Sequence, residues 1–321
     1  MSERKTRYAE FCRLHYVPMH LQPWWLDAVC SSGAWDVCLA TGAGNAVTGA
    51  LPYFITQRWG LKIIRQPPLT SYGGPWVHYP ENQDLKLQKR VNLERKILED
   101  LVRQLPKAAF FQQSFRPEIH NWLPFQWSGY RQTTRYTYLF HELNDLELIW
   151  AGCKNTLRTD IRKATRSVGV HREPDALMIA WELHLKSFLR KGKQPPYSFE
   201  TLRSLHGALL ERRQSICFVA RDRDSNIPHA ALYLAFDARN ASVLFTGQDP
   251  AFKSISAVWL LFWEAIKYCS EKGLAFDFEG SMEREIERGF RAFGAQLTPY
   301  HQIWKAGNRL SDLAFRVYRA L

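Results

Sequence analysis

Two similar strand-turn-strand patterns lie roughly 180 residues apart in this chain, and such a repeat strongly limits the folds available to it. In the first pattern, strands predicted over 35–40 and 46–54 flank a Gly-rich turn. In the second, strands predicted over 216–221 and 229–237 flank a polar turn. Both return strands contain two small residues followed by leucine, Gly49-Ala50-Leu51 and Ala230-Ala231-Leu232. The repeat predicts an internal duplication.

The segment after the second pattern indicates how the sheet continues. A third strand is predicted over 242–247, followed by a loop and a helix over 256–270 that is apolar nearly all round and therefore buried. A further strand over 274–278 is expected to run parallel to the third, because a helix connects them. The sequence thus predicts an α/β fold of two domains, each with a mixed, mostly antiparallel sheet flanked by helices. We place the domains at 1–150 and 151–307, with a C-terminal helix over 308–321 packing back on the first.

Helical periodicity is present over 84–105, 175–189 and 198–212, and a more distinctive helix is predicted over 154–168. Its apolar stripe is formed by Leu157, Ile161, Ala164 and Val168. Beside the stripe, three arginines recur every fourth residue: Arg158, Arg162 and Arg166. Such a row either binds an anionic substrate or is a solvated basic face, and the sequence leaves both interpretations open.

The chain is strongly basic, with 43 Lys and Arg residues against 31 Asp and Glu and a formal net charge of +12. This charge favours an acidic partner such as tRNA, an anionic membrane surface, a phosphate-rich cofactor or a pyrophosphate-linked cell-wall precursor, although it also suits a solubilising surface. Six scattered cysteines without a C-x-x-C pair predict buried thiols in a reducing compartment. With no signal-peptide pattern or apolar run of membrane-spanning length, we expect a cytoplasmic protein that can contact the inner membrane face peripherally.

Several common site motifs are missing from the sequence. It contains no G-x-S-x-G nucleophile motif, no H-E-x-x-H and no paired Cys/His spacing, so no metal site is predicted. Gly42-Ala-Gly44 begins like a dinucleotide-binding motif but lies between two predicted strands and lacks the third glycine. We therefore interpret it as a hairpin turn and expect no tightly bound cofactor.

Motifs in the second half resemble those of a known family. The runs Phe276-Asp-Phe-Glu-Gly-Ser-Met282, Ile286-Glu-Arg-Gly-Phe290, Phe293-Gly-Ala295 and Pro299-Tyr-His-Gln-Ile-Trp-Lys305 resemble the C-terminal signature of BioF2-like acetyltransferase domains in the GNAT superfamily. The basic helix, which ends in Ile161-Arg-Lys-Ala-Thr-Arg-Ser-Val-Gly-Val170, is similar to one in that group and in Fem-type peptidyltransferases. The first half resembles them more weakly, through Leu51-Pro-Tyr53 and Pro68-Leu-Thr-Ser-Tyr-Gly-Gly-Pro75.

The resemblance implies a bacterial N-acyltransferase that moves an acyl group from acyl-CoA to an amine. The alternative that it implies is a Fem-type enzyme, which takes an amino acid from aminoacyl-tRNA and joins it to a cell-wall precursor or another amine. A non-catalytic GNAT-like binding module is the third possibility. GNAT proteins usually hold the donor pyrophosphate with a glycine-containing loop, whereas the segment 249–256 has no glycine. The residues expected to contact the donor there are Gln248, Lys253, Ser254 and Ser256.

Amide formation requires a proton acceptor, an oxyanion site and aligned substrates. Glu279, with Asp277 behind it, is the predicted proton acceptor at the end of the last parallel strand, unless it caps a helix or pairs with an arginine. Tyr300 and His301, on the following strand, are further catalytic candidates, and a lone histidine is often structural. Tyr72 and Tyr197 lie in loops able to contact an acceptor or to pack on the domain. Oxyanion donors are expected near residues 245–247.

Overall fold

The computed structural model describes residues 2–58, 60–79, 86–280 and 282–307, with only the backbone described at Lys253 and Ser254. These residues form two compact units. The first contains the chain up to Arg135 and again from Pro299, and the second contains Tyr136–Thr298. The predicted C-terminal helix over 308–321 and the start of the helix predicted over 84–105 lie outside the described residues. None of the described helices is long and apolar enough to cross a membrane.

The described secondary structure consists of helices, strands and short 3-10 turns. The helices are α1 (Glu3–Leu14), α2 (Pro23–Val29), α3 (Leu87–Gln104), α4 (Leu123–Trp127), α5 (Leu146–Gly152), α6 (Asn155–Ser167), α7 (Leu177–Leu189), α8 (Phe199–Arg212), α9 (Ala257–Lys272) and α10 (Arg284–Arg291). The strands are β1 (Ala34–Thr41), β2 (Val47–Arg58), β3 (Leu61–Arg65), β4 (Trp76–Val77), β5 (Phe110–Ser114), β6 (Arg131–Phe140), β7 (Val168–Arg172), β8 (Ser215–Asp222), β9 (Pro228–Phe236), β10 (Asn240–Gln248), β11 (Ala275–Asp277) and β12 (Gln296–Ala306). The 3-10 turns are Met19–Leu21, Ala43–Asn45 and Pro250–Ile255.

The first unit is built on a sheet with the strand order β1-β2-β3-β5-β12. β1, β2 and β3 are joined in antiparallel pairs, β3 and β5 are parallel, and β12 pairs with β5 in the antiparallel direction. α3 crosses from β3 to β5, and its Ile97 packs where a side chain at Gly49 would point. The small-small-Leu step of β2 thus allows a helix to approach the sheet closely.

The second unit has the strand order β6-β11-β10-β9-β8-β7. β8, β9 and β10 are joined in antiparallel pairs, whereas β10 and β11 are parallel, as the connecting helix α9 predicts. Alternate strand residues are buried on opposite faces: Leu232 and Leu234 pack with α9, while Tyr233 contacts Phe245 on the face covered by α7. α9 lies in the core of the unit, in agreement with its apolar sequence.

The two units repeat one order of elements: an antiparallel three-stranded meander, a crossover helix and a parallel strand. The final strand of each sheet then comes from the other half of the sequence, because β11 pairs with residues 139–140 of β6 and β5 pairs with residues 302–306 of β12. The mixed α/β fold with two similar halves is therefore confirmed. The divisions at 135 and 299 differ from our sequence boundaries at 150 and 307, since strand exchange leaves no composition signal.

Candidate functional site

The chain leaves β11 in a tight loop that is held by buried hydrogen bonds. Asp277, the last residue of β11, is 7% exposed, and its Oδ1 accepts hydrogen bonds from Thr137 Oγ1 (2.6 Å) and from the backbone N–H of Glu279 (2.7 Å). Thr137 Oγ1 in turn accepts the N–H of Gly280 (2.9 Å). These hydrogen bonds of the Asp277 carboxylate hold the loop in place, and its catalytic role stays a prediction.

The loop presents Glu279 in a special backbone conformation. Its φ is +53°, in the left-handed region that residues other than glycine rarely adopt. The next residue, Gly280, has to be glycine, because a Cβ there would overlap the backbone of Tyr136 and Thr137. The side chain of Glu279 is partly exposed. A strained residue immediately after a parallel strand is typical of a functional site.

A hydrogen-bonded pair of side chains lies near Glu279. Tyr197 Oη is 2.8 Å from His184 Nε2, and His184 Nδ1 is 2.7 Å from the carbonyl oxygen of Thr246. Burial raises the pKa of Tyr197 well above its usual value, and the nearby charge of Glu279 raises it further. The predicted residues Tyr197, Glu279 and Asp277 therefore belong to one region of the second unit. His184 was not predicted, and the signal that could have found it is a histidine within the mostly apolar sequence of α7.

The two parallel strands separate next to this region. In the described residues their pairing joins positions 240–242 of β10 to positions 275–277 of β11 and goes no further. β10 continues to Gln248 against β9, with an irregularity in the register between Val243 and Phe245. The backbone over the predicted oxyanion segment, 245–247, follows the point of separation. This is the arrangement that we expected from the sequence, although the oxyanion role itself remains a prediction.

The segment after β10 differs from a typical phosphate-binding loop. Asp249 lies at its start, where its Oδ1 accepts the N–H of Ala251 (3.0 Å) and its backbone oxygen accepts the N–H of Phe252 (3.1 Å). The carboxylate also pairs with Lys186 (2.6 Å), and this hydrogen bond is the main cause of the lowered pKa of Asp249. Two N–H groups of the loop are thus used internally.

The predicted donor-binding residues lie at the end of β10 and in the segment between β10 and α9. Gln248 ends β10, and its backbone N–H donates to Ser187 Oγ (2.9 Å). Ser256 is the N-cap of α9 with φ +58° and makes no side-chain cap hydrogen bond. The side chains of Lys253 and Ser254 lie outside the described residues. The donor-binding role of these four residues stays a prediction.

The basic helix α6 packs against both α9 and the turn Pro250–Ile255. Its apolar residues Leu157, Ile161 and Ala164 are buried, while Arg162 and Arg166 are exposed. Arg158 is partly buried and hydrogen-bonded to Asn155. The guanidinium of Arg162 lies 5.5 Å from the ring centre of Trp150, and the Trp150 ring packs against Trp263 at a tilt of 46° with ring centres 4.7 Å apart. The exposed face therefore combines arginines with an aromatic side chain.

The other predicted residues lie in the first unit. Tyr72 and Tyr300 are buried and meet edge to face with ring centres 5.2 Å apart, and Arg135 Nε donates to Tyr300 Oη (3.3 Å). Both ring nitrogens of His301 are hydrogen-bonded, Nδ1 with Gln132 Nε2 (3.0 Å) and Nε2 with the backbone oxygen of His120 (3.2 Å). These contacts favour a structural role for His301. Tyr72, Tyr300 and His301 belong to the first unit, whereas Glu279 belongs to the second.

The six thiols are poor candidates for nucleophiles. All six cysteines are free, and five of them are buried. Burial raises the pKa of each thiol, for example to about 11 at Cys153 and to about 12 at Cys217, so the reactive thiolate is disfavoured. The described part of the chain also contains no group of three or more His, Cys, Asp or Glu residues arranged to hold a metal ion.

Comparison with known proteins bears on this geometry. Residues 151–287 match the family model of the acetyltransferase (GNAT) domain. The structure of FemX superposes with a TM-score of 0.68 at 12% identity, covering 94% of this chain and 96% of FemX. A tandem GNAT protein from the clavulanic acid biosynthesis pathway gives a TM-score of 0.53 at 12% identity, with 95% of each chain covered.

A third similar structure is the C-terminal domain of a putative lysylphosphatidylglycerol synthetase from Agrobacterium fabrum. Its TM-score is 0.55 at 14% identity, and 98% of this chain and 96% of that chain are covered. No curated protein sequence matches the chain. At these identities the structures establish the fold alone. Residues 151–287 of this chain therefore match a GNAT domain, and the chain has the fold seen in FemX and in the tandem GNAT protein.

Proposed function

We propose that the protein transfers an acyl group to an amine and that Glu279 accepts the proton of that amine. The observation that carries this proposal is the way the backbone at Glu279 is fixed. The buried Asp277 carboxylate and Thr137 hydroxyl accept the N–H groups of Glu279 and Gly280, and Glu279 has a strained conformation where β10 and β11 separate. Attack on an activated ester requires a neutral amine, and a carboxylate beside the reacting nitrogen removes its proton as the C–N bond forms. The bond between the acyl group and the donor then breaks, and the donor leaves as a free hydroxyl or thiol that takes up a proton. The GNAT-domain match supports the same reaction class.

The test compares Glu279→Gln with Glu285→Gln, a matched change at an exposed glutamate of α10. Each variant is incubated with a radiolabelled acyl donor and with a bacterial cell extract as the source of amines, and labelled amide product is counted. We expect Glu279→Gln to slow transfer by about 100-fold or more with its melting temperature unchanged. We expect Glu285→Gln to match the wild type. Equal rates in all three proteins would contradict the proposal, and no transfer by the wild type with any donor would favour a non-catalytic binding module.

For the donor we propose aminoacyl-tRNA rather than acyl-CoA. Two features support this choice. The loop 249–255 has no glycine, begins with a carboxylate and uses two of its own N–H groups on Asp249, which suits a pyrophosphate poorly. The helix packed against that loop exposes Arg162 and Arg166, and the Arg162 guanidinium lies over the partly exposed ring of Trp150. This combination suits phosphates and unpaired bases. Either donor is a co-substrate and not a resident cofactor.

The donor is tested by binding and by transfer. Purified protein is titrated with unfractionated tRNA at several salt concentrations, beside the double variant Arg162→Ala/Arg166→Ala and the control Arg203→Ala on the exposed face of α8. We expect the slope of log affinity against log salt to fall by about two in the double variant and to stay constant in the control. Saturable binding of acetyl-CoA, with transfer from acetyl-CoA and none from charged tRNA, would replace tRNA with acyl-CoA and leave the role of Glu279 intact.

The acceptor is proposed only as an amine. The resemblance to Fem-type enzymes makes an amine-bearing cell-wall precursor the first acceptor to be tried. A cytoplasmic location with peripheral contact at the membrane is part of this proposal.

A further inference from the structure

We propose that Tyr197 and Glu279 together form the binding site for the N–H groups of the acceptor amine, and that His184 acts as a positioning residue that makes the Tyr197 hydroxyl a hydrogen-bond acceptor. This inference rests on the proposed function and states that the site for the substrate amine consists of hydrogen-bond acceptors. All three side chains belong to the second unit. They come from α7, from the loop before α8 and from the loop after β11.

The argument starts at the carbonyl oxygen of Thr246, which can only accept a hydrogen bond. It lies 2.7 Å from His184 Nδ1, so Nδ1 must carry a hydrogen and donate it. A neutral imidazole has one protonated nitrogen, and the other nitrogen then has a lone pair. In a neutral His184, Nε2 is therefore an acceptor.

The surroundings of His184 favour the neutral ring. Its side chain is 6% exposed and contacts the rings of Trp181, Phe188 and Phe245 at centre distances of 4.8 to 5.8 Å. Burial lowers the pKa of His184, whereas the bond to Thr246 opposes that change with a smaller effect. The ring is also nearly parallel to that of Tyr197, at an interplanar angle of 15°. These contacts fix the orientation of the imidazole as well as its charge.

The Tyr197 hydroxyl therefore donates its hydrogen to His184 Nε2, at a distance of 2.8 Å between Oη and Nε2. The oxygen then offers only its lone pairs to a ligand. The Glu279 carboxylate is also an acceptor. Glu279 lies two residues beyond the last pair of β10 and β11, Ser242 with Asp277, and Thr246, which bonds His184, lies four residues beyond that pair on β10. A ligand group that contacts both Tyr197 and Glu279 must supply two hydrogens. A primary amine or ammonium meets this requirement, whereas an alcohol has one hydrogen and an ester carbonyl has none.

The tautomer of His184 is measured first, because it does not depend on any activity. Ring ¹⁵N–¹H correlation spectra of the full-length protein, assigned with His184→Phe, show which nitrogen carries the hydrogen at neutral pH. We expect a neutral ring protonated at Nδ1. A ring protonated at Nε2, or at both nitrogens, would overturn the inference whatever the protein catalyses.

Ligand polarity is measured with two cations of equal charge. n-Butylamine, protonated at neutral pH, presents N–H groups, whereas its N,N,N-trimethyl analogue presents none. Binding is followed through the His184 ring signals. We expect n-butylamine to bind about 10-fold more tightly than the analogue, and Tyr197→Phe to remove most of this preference. Tyr268→Phe, a matched change on α9, should keep it. Equal binding of both cations by the wild type would contradict the inference.

The two proposals can fail separately. If the tautomer and the N–H preference are as expected but Glu279→Gln transfers at the wild-type rate, the amine site stands and the catalytic role of Glu279 falls. If transfer depends on Glu279 but Tyr197→Phe leaves the KM for the amine unchanged, the reaction stands and the inference falls. The inference expects Tyr197→Phe to raise that KM by about 10-fold with a smaller effect on kcat.

Discussion

Glu279 has a backbone conformation that costs about 1–2 kcal/mol in a residue with a Cβ, and the protein retains it with φ +53°. Glycine at this position would avoid the cost. The carboxylate is therefore retained at the expense of local stability, as expected of a residue that contacts a substrate. The neighbouring hydrogen bonds of Asp277 and Thr137 maintain the strained loop.

This strain leads to a prediction for Glu279→Gly. The substitution relieves about 1–2 kcal/mol of strain and costs about 0.5–1 kcal/mol through the greater freedom of the unfolded chain. We expect the free energy of unfolding, measured by urea denaturation, to rise by about 0.5 kcal/mol while acyl transfer is lost. A fall of more than 1 kcal/mol would mean that the Glu279 side chain stabilises the fold, and the functional explanation of the strain would then be wrong.

Glu279 and Asp277 could be singled out from the sequence because a carboxylate directly after a buried strand is a local pattern. Thr137 and His184 could not. Thr137 bonds Asp277 across 140 positions of the chain, and His184 bonds Thr246 across 62, so neither partner follows from local sequence. His301 was visible as a lone histidine, but its two hydrogen-bond partners in the first unit were not.

At the scale of elements, α7 determines where His184 lies, and Gly247 allows α7 to approach. A Cβ at Gly247 would overlap the backbone of Leu183 and His184. Thr246, whose carbonyl bonds His184, immediately precedes this contact. The close contact between helix and strand therefore sets the geometry of the proposed amine site.

We expect Gly247→Ala to destabilise the protein by about 1–3 kcal/mol, because backbone atoms of α7 must move away from β10. The same movement should lengthen the hydrogen bond between His184 and Thr246 and change the His184 ring ¹⁵N shifts. Gly207→Ala is the matched control: no atoms lie within 4 Å of its Cβ position in α8, so it should stabilise by about 0.5–1 kcal/mol. Unchanged ring shifts in Gly247→Ala would show that α7 does not position the histidine.

The elements themselves were largely predictable. The continuous apolar runs of β8 and β9 reflect burial on both faces of the sheet, and α9 is apolar because it covers one of those faces. The parallel pairing of β10 with β11 follows from the helix between them. The prediction for α6 was also close, although the helix ends at Ser167 and Val168 begins β7. A β-branched residue at a helix end suits either state, so only the pairing with β8 decides it.

At the scale of the whole molecule, the repeat in the sequence predicted two similar halves but not the exchange of their last strands. Each half buries its own cluster of apolar residues, and Ile303 of β12 belongs to the cluster that contains Leu51 and Phe115. Pairing energy depends on side chains that meet in space, and the 188 or more positions that separate paired residues of β12 and β5 give no periodic signal. The domain boundaries predicted from the sequence were therefore set by the repeat, whereas the boundaries of the compact units are set by which strands pair.

Because the last strands are exchanged, we predict that a substitution near the C-terminus destabilises strands from the first part of the chain. Ile303 in β12 and Ile266 in α9 are both fully buried, so replacing either with alanine should cost about 2–5 kcal/mol. We expect Ile303→Ala to speed amide hydrogen exchange mainly in β1, β2, β3 and β5, although these strands lie far earlier in the sequence. Ile266→Ala should act mainly on β8, β9 and β10. Exchange measured by mass spectrometry distinguishes the two patterns, and faster exchange in β8 to β10 after Ile303→Ala would mean that the two clusters do not open as separate units.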